Sequence, residues 1–92
     1  MFQHAKKIRA GAFNISFCVM EDLPLMHNIL STMRFVPTHV EAMYVNRELE
    51  FIGVSPMFDE INAGSVIPKY DVVVNTTGSG EFAGVDVVRK NE

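Results

Sequence analysis

The hydrophobic pattern of the chain changes its period near Pro24, and this change is the feature that most constrains the fold. Residues 13–20 alternate between two faces, one of them strongly apolar, which predicts a half-buried β-strand. Over residues 22–34 the apolar side chains instead recur at steps of three and four, which predicts a helix with one apolar face. Asp22 can cap its first turn, and Pro37 disfavours helical backbone in the residue before it. A strand is therefore followed by the main helix, at about residues 22–34.

The rest of the chain is typical of strands joined by short turns. After Pro37 the sequence predicts a hairpin with a polar turn at Asn46, Arg47 and Glu48, and a second hairpin follows with a glycine-rich turn at 76–80. The expected strands lie at 13–20, 39–45, 49–54, 70–76 and 85–89. Short connections favour antiparallel pairing. The predicted fold class is α+β, in two layers: a mostly antiparallel sheet of about five strands, in the order βαββαββ, with the main helix on one face.

A second, short helix is predicted near residues 56–63, between the two hairpins. Ser55 suits its N-cap position, Pro56 its first helical position, and Gly64 the left-handed residue that ends it. The same segment lies between a strand and a helix, as a nucleophile elbow does, but Met57 replaces the second glycine of G-x-S-x-G. We therefore expect Ser55 to be a helix cap rather than a nucleophile.

Length and composition indicate one domain. Ninety-two residues, of which 48% are hydrophobic and 21% charged, suffice for a single core, so residues 1–92 are expected to form one compact domain. Residues 1–10 form a candidate N-terminal arm, for which a helix and an edge strand both remain open. No apolar run is long enough to cross a membrane. Cys18 is the single cysteine, which favours a reducing, cytoplasmic location.

The charge is mildly acidic, at a net −3, and it is unevenly distributed. A nucleic-acid partner is not expected, because the few basic residues at the N-terminus do not form a basic stripe. Acidic residues instead surround the first hairpin turn, where Glu41, Glu48 and Glu50 lie on both sides of Arg47. Such a hairpin is expected to steer a protein partner that carries a basic patch.

The leading functional prediction is a non-enzymatic protein-interaction module. One helix covers only one face of a five-stranded sheet. The apolar and aromatic side chains around the hairpins are therefore covered either by the short helix and the N-terminal arm or by a partner. The predicted interaction residues are Tyr44, Glu48, Glu50, Phe51, Met57, Phe58 and Tyr70. We expect an inhibitor or adaptor that binds a larger protein, a second copy of itself, or both. The favoured assembly is a homodimer, and the alternative is a monomer that becomes ordered against its protein partner. The specific hypothesis is an accessory or anti-host-defence protein of the kind that bacteriophages direct against host proteins. It is an association from the small size of the chain and its lack of catalytic motifs.

Two alternatives belong to other classes of function. The first is a small-ligand-binding domain with its pocket between the main helix and the sheet. Its pocket residues would be Asn14, Ser16, Cys18 and Tyr70. The second is an enzyme that uses His39 with Glu41, two residues apart on one strand face, as an acid–base pair. No other catalytic residue, no cofactor and no metal site is predicted, because the histidines lack the spacing of a metal pair.

Overall fold

A computed structural model describes residues 6–90, and they form an α+β fold with antiparallel sheets, as predicted. The elements are β1 (Lys7–Ile8), β2 (Ala10–Ser16), α1 (Phe17–Met20), α2 (Leu23–Met33), β3 (Val36–Met43), β4 (Glu48–Val54), β5 (Ile61–Asn62), β6 (Tyr70–Thr76) and β7 (Phe82–Arg89). The five long strands β2, β3, β4, β6 and β7 correspond to the five predicted ones. The main helix α2, with its two capping residues, spans the predicted range.

Within residues 6–90 the strands form a short antiparallel pair, β1 with β5, and two longer antiparallel ladders that meet at one point. β2, β4 and β3 pair in that order, and β6 pairs with β7 as a hairpin. The two ladders are joined by a single parallel bridge between Ala12 and Lys69, and the Ala12 amide donates to the Pro68 carbonyl oxygen at 2.9 Å. Within residues 6–90 no longer ladder connects β2 to β6. The sheet is therefore divided between these two strands.

Local signals explain both ends of α2. Asp22 Oδ1 accepts a hydrogen bond from the Leu25 amide at 3.2 Å, so it caps the first turn as predicted. At the other end Arg34 adopts the left-handed conformation, with φ 51° and ψ 42°. The Arg34 amide then donates to Ser31, and the Phe35 amide donates to Leu30, each at 3.1 Å. This pair of bonds is a Schellman motif, and it reverses the chain into β3.

The short helix lies elsewhere than predicted. Residues 17–20 form α1 instead of continuing the first strand, because the Ser16 hydroxyl accepts from the Cys18 amide at 3.2 Å and starts a helical turn. Residues 56–63 do not form a helix. They contain a turn followed by β5, which pairs with β1. The backbone of this segment is held by distant groups, and the Asp59 amide, for example, donates to the Tyr70 hydroxyl at 2.8 Å.

The N-terminal arm is a strand where the structure describes it. Lys7 and Ile8 pair with Asn62 and Ile61, so the edge-strand alternative holds for this part of the arm. The prediction for residues 1–5 lies outside the described residues.

The core lies between α2 and one face of the sheet. α2 contributes Met26, Ile29 and Met33, which are all buried. They contact alternate strand residues, as the two-residue period of a strand requires. The buried cluster consists of Phe13, Ile15, Met26, Ile29, Met33, Phe51, Phe58, Tyr70 and Val85. Aromatic rings dominate its centre, where Phe58 and Tyr70 stack with centroids 4.6 Å apart.

Candidate functional site

Three of the predicted interaction residues lie in the core, so that part of the prediction is wrong. Phe51, Phe58 and Tyr70 are nearly inaccessible to solvent. Phe51 stacks on Phe13 with a centroid distance of 5.3 Å, and Phe58 stacks on Tyr70. Large aromatic side chains gain most free energy from complete burial, and the sheet provides one face on which they meet. They therefore hold the fold together and are not available to a partner.

Tyr44 is exposed, as an interaction residue must be. It lies in the turn between β3 and β4 with 79% of its surface accessible, and its neighbour Val45 is 98% accessible. The Tyr44 ring contacts Phe17 edge-on, with centroids 6.3 Å apart. We call Tyr44 and Val45 the hairpin tip. Val45 is not among the predicted interaction residues, because the sequence pattern predicts a strand at 39–45.

Met57 is partly exposed, at 37% of its surface. It follows Pro56 in the turn that replaces the predicted short helix, and its amide donates to the Ser55 hydroxyl at 3.1 Å. The residue is therefore accessible to a partner, but at a different part of the chain from the hairpin tip.

The predicted acidic residues lie on the sheet face opposite α2, which we call the outer face. Glu41 of β3 lies directly opposite Glu50 of β4. Each has a nearby cation or imidazole: Glu50 Oε2 is 3.8 Å from Lys69 Nζ, and Glu41 Oε1 is 3.6 Å from His39 Nε2. Glu48, the third of these residues, accepts a hydrogen bond from Asn14 Nδ2 at 3.1 Å. Glu48 and Glu50 are thus half-buried and already bonded within the chain, whereas Glu41 is largely exposed.

A polar cleft marks the place where β2 and β6 separate. It has a volume of about 140 Å³ and combines both signs of charge. Its ion pair Lys90 Nζ–Asp71 Oδ1 spans 3.6 Å. The charged and amide side chains that line it are Asn14, Glu48, Lys69, Asp71 and Lys90. No local sequence pattern indicates this cleft, because the cleft depends on the bridge between Ala12 and Lys69.

A second cavity lies between the helices and the sheet, where the ligand-binding alternative expected one. It measures about 150 Å³, and Asn14 and Ser16 line it together with apolar side chains of α1, α2 and β6. Two of the four predicted pocket residues are therefore brought together. Cys18 is exposed on α1, and Tyr70 is buried in the core and lines the polar cleft instead.

The groups considered for catalysis are differently placed. His39 and Glu41 lie on an edge strand, with side chains 58% and 57% exposed. Ser55 is buried, and its hydroxyl donates to the Met33 carbonyl oxygen at 2.6 Å. The geometry therefore gives Ser55 a structural role. Among residues 6–90, no group of three or more His, Cys, Asp or Glu side chains is arranged to hold a metal ion.

Comparison with known proteins gives no match, whether with family models, with curated proteins or with solved structures. No helix within residues 6–90 is long and apolar enough to cross a membrane.

Proposed function

We propose that the chain is a non-enzymatic protein-interaction module that binds a larger protein, as an inhibitor or an adaptor, through its hairpin tip. The exposure of Tyr44 and Val45 is the observation that carries this proposal. Tyrosine is enriched among the residues that dominate binding energy in protein interfaces. Two adjacent, largely exposed side chains at the end of a hairpin can enter a pocket on a partner.

The charge near the tip indicates the character of the partner surface. Glu41 is exposed on β3, the strand that leads to the tip, and the chain as a whole carries a net −3. A partner with a basic patch beside an apolar pocket would match both features. Glu48 and Glu50 contribute less than the sequence suggested, since Asn14 and Lys69 already contact their carboxylates.

The proposal is tested by affinity capture from an extract of the source organism, followed by quantitative mass spectrometry. We compare the wild type with the double variant Tyr44→Ser and Val45→Ser. The matched control is Val66→Ser, because Val66 is 92% exposed but lies in a different loop. A true partner should be retained by the wild type and the control and lost by the tip variant, with binding weakened about 30-fold if Tyr44 contributes about 2 kcal/mol. Equal capture by all three proteins would contradict the proposal.

Self-association and a cytoplasmic location belong to the same proposal. Isologous dimers are the commonest closed assemblies, and the chain displays further exposed apolar residues besides the tip, such as Val36 on β3. Cys18 is an exposed free thiol, which fits a reducing compartment. The narrower hypothesis of a bacteriophage accessory protein stays a prediction from the small size of the chain and its lack of catalytic motifs.

Small-ligand binding is the second candidate function, and the cavity between the helices and the sheet favours it. Polar groups of Asn14 and Ser16 at an otherwise apolar cavity are the usual composition of a ligand pocket. A thermal-shift screen of small molecules tests this candidate. A ligand that stabilises the wild type should lose its effect when Val74→Phe fills the cavity. An unchanged effect in that variant would place the ligand elsewhere.

A further inference from the structure

The outer edge of β3 is an unpaired strand edge with free backbone groups. Within residues 6–90, β3 pairs only with β4. The direction of its backbone groups follows from two hydrogen bonds that continue the β2–β4 ladder at its two ends. The Phe17 amide donates to the Arg47 carbonyl oxygen, and the Ser55 amide donates to the Arg9 carbonyl oxygen.

Backbone groups of successive strand residues point to opposite sides, so the odd-numbered residues of β4 bond β2 and the even-numbered residues of β4 bond β3. The β3 partners of those even-numbered residues, His39 and Glu41, direct their backbone groups inward. Val40, which lies between them, directs its N–H and C=O outward.

The side chains around Val40 complement a second copy of the same strand. If two β3 edges pair antiparallel about a two-fold axis at Val40, the two Val40 residues exchange backbone hydrogen bonds. His39 of each copy then lies opposite Glu41 of the other, in the non-hydrogen-bonded positions where cross-strand side chains are closest. Both side chains are more than half exposed and lie on the outer face, which the two copies share in this arrangement. Pro37 and the bulge between Pro37 and His39 end the regular edge on one side.

A second observation supports the same register. Glu41 lies directly opposite Glu50 within the chain, and like charges in such positions destabilise a sheet. Lys69 contacts the Glu50 carboxylate. Among the described residues, the Glu41 carboxylate has one ion-pair partner within 4 Å, His39 of its own strand. An imidazole from a second copy would lie on the free side of Glu41. Pairing would therefore give Glu41 a second imidazole partner beside that of its own strand.

Two other registers of β3, and the free edge of β7, do not show this complementarity. An axis at Glu41 would place two glutamates opposite each other, and an axis at Ala42 would place Glu41 opposite Met43. At the end of β7, the Lys90 amide donates to the Lys69 carbonyl oxygen. The even-numbered residues at this end of β7 therefore bond β6, and the odd-numbered ones, including Val87, direct their backbone groups outward. Pairing about Val87 would set Asp86 opposite Val88, with no opposite charge.

We infer that the chain forms a two-fold symmetric dimer in which the β3 edges pair antiparallel about Val40, with His39 of each copy opposite Glu41 of the other. This inference rests on the self-association proposed above and assigns it a surface and a register. The pairing extends the three-stranded ladder into a continuous six-stranded sheet.

The test is sedimentation equilibrium of a charge series, up to roughly 100 µM protein. His39→Glu places two like-charged pairs across the axis and should raise the dimer dissociation constant about tenfold. Adding Glu41→Lys to it restores two opposite-charged pairs and should return the constant to the wild-type range or below. His39→Lys alone should tighten the dimer. A constant that does not change across this series would overturn the inference.

A backbone variant provides an independent measurement. Val40→Pro removes an outward N–H without removing a bond of the β3–β4 ladder, so it should abolish the dimer while the monomer still folds. Val87→Pro is the matched control on β7, and urea melts report the folding of both variants. A dimer lost only in the Val87 variant would move the interface to β7 and refute the register, but not self-association. A wild type that stays monomeric throughout would refute both.

Discussion

Ser55 offers the sharpest test of how this fold is held together. Its side chain is 2% exposed and makes two hydrogen bonds. The hydroxyl donates to the Met33 carbonyl oxygen at 2.6 Å and accepts from the Met57 amide at 3.1 Å. Met33 is the last residue of α2, where the helix leaves carbonyl groups without partners. Ser55 thus caps the C-terminus of a helix that ends 22 residues before it in the sequence.

The expected cost of Ser55→Ala is about 2 kcal/mol. A buried acceptor left without its donor costs about 1–3 kcal/mol, and this applies to the Met33 carbonyl oxygen. The Met57 amide is only partly buried and can bond water instead, so the loss of its hydrogen bond to Ser55 adds little to the cost. For a chain of this length the change corresponds to a melting temperature lower by roughly 10 °C.

Ser55→Asp distinguishes this role from that of a helix N-cap. A carboxylate still accepts from Met57, but it cannot donate to Met33, and its charge is desolvated. We expect it to be less stable than Ser55→Ala by at least about 1 kcal/mol near neutral pH. Burial raises the pKa of such a carboxyl group, so the folded state binds its proton more tightly. The deficit relative to alanine should therefore shrink as the pH falls from about 7 to about 4.

Urea denaturation of the wild type and both variants measures these differences, with Ser65→Ala as the control. Ser65 is exposed, so its replacement should change the stability by less than about 0.5 kcal/mol. An aspartate variant as stable as the wild type near neutral pH would show that the Ser55 hydroxyl acts only as an acceptor and would refute its role as a donor to Met33.

Two further stability changes follow from backbone geometry. Gly11→Ala should cost about 1–3 kcal/mol in a urea melt, because the added methyl group would lie 2.6 Å from Tyr70 Cε1 and 3.0 Å from Phe58 Cδ2; a neutral result would mean that the two rings move easily. Arg34→Gly should raise the stability by about 0.5–1 kcal/mol, because glycine adopts the left-handed conformation at φ 51° without strain. A loss of stability in the latter variant would show that the arginine side chain contributes more than its backbone strain costs.

Local signals were sufficient for the parts of the fold that depend on neighbours in sequence. Asp22 and the turn at Arg34 define α2, and the alternation of residues 13–16 defines β2. The prediction of a short helix at 56–63 is wrong for the opposite reason. Ser55 and Pro56 are a standard helix start, but the Ser55 hydroxyl is bonded to Met33, and residues 61–62 pair with the N-terminal arm. No local pattern indicates either of these distant partners.

The misplacement of Phe51 was avoidable from the sequence. Residues 48–54 form a strand, so Phe51 must point away from the face that carries Glu48 and Glu50. The predicted interaction surface combined all three residues, although a single strand face cannot hold them together. Phe58 and Tyr70 carried no such signal, because their burial depends on the packing of a loop against β6.

The length of the β3–β4 turn determines most of what the outer face presents. A three-residue turn at 46–48, as the sequence suggested, would pair Val45 with Leu49 and set Tyr44 opposite Glu50. The turn instead has four residues, 44–47, closed by bonds from the Asn46 amide to Met43 and from the Arg47 amide to Tyr44, each at 3.2 Å. Arg47 takes a positive φ of 56° to complete it.

This difference in turn length changes the register of the whole hairpin. Met43 now pairs with Glu48, and the ladder therefore places Glu41 opposite Glu50. The same change removes Tyr44 from the strand and displays it at the hairpin tip. Both the tip proposed to bind a larger protein and the charge pattern proposed to pair two copies thus depend on one turn. Because strand side chains alternate with a period of two, any change of register by one residue would move these groups to the opposite face.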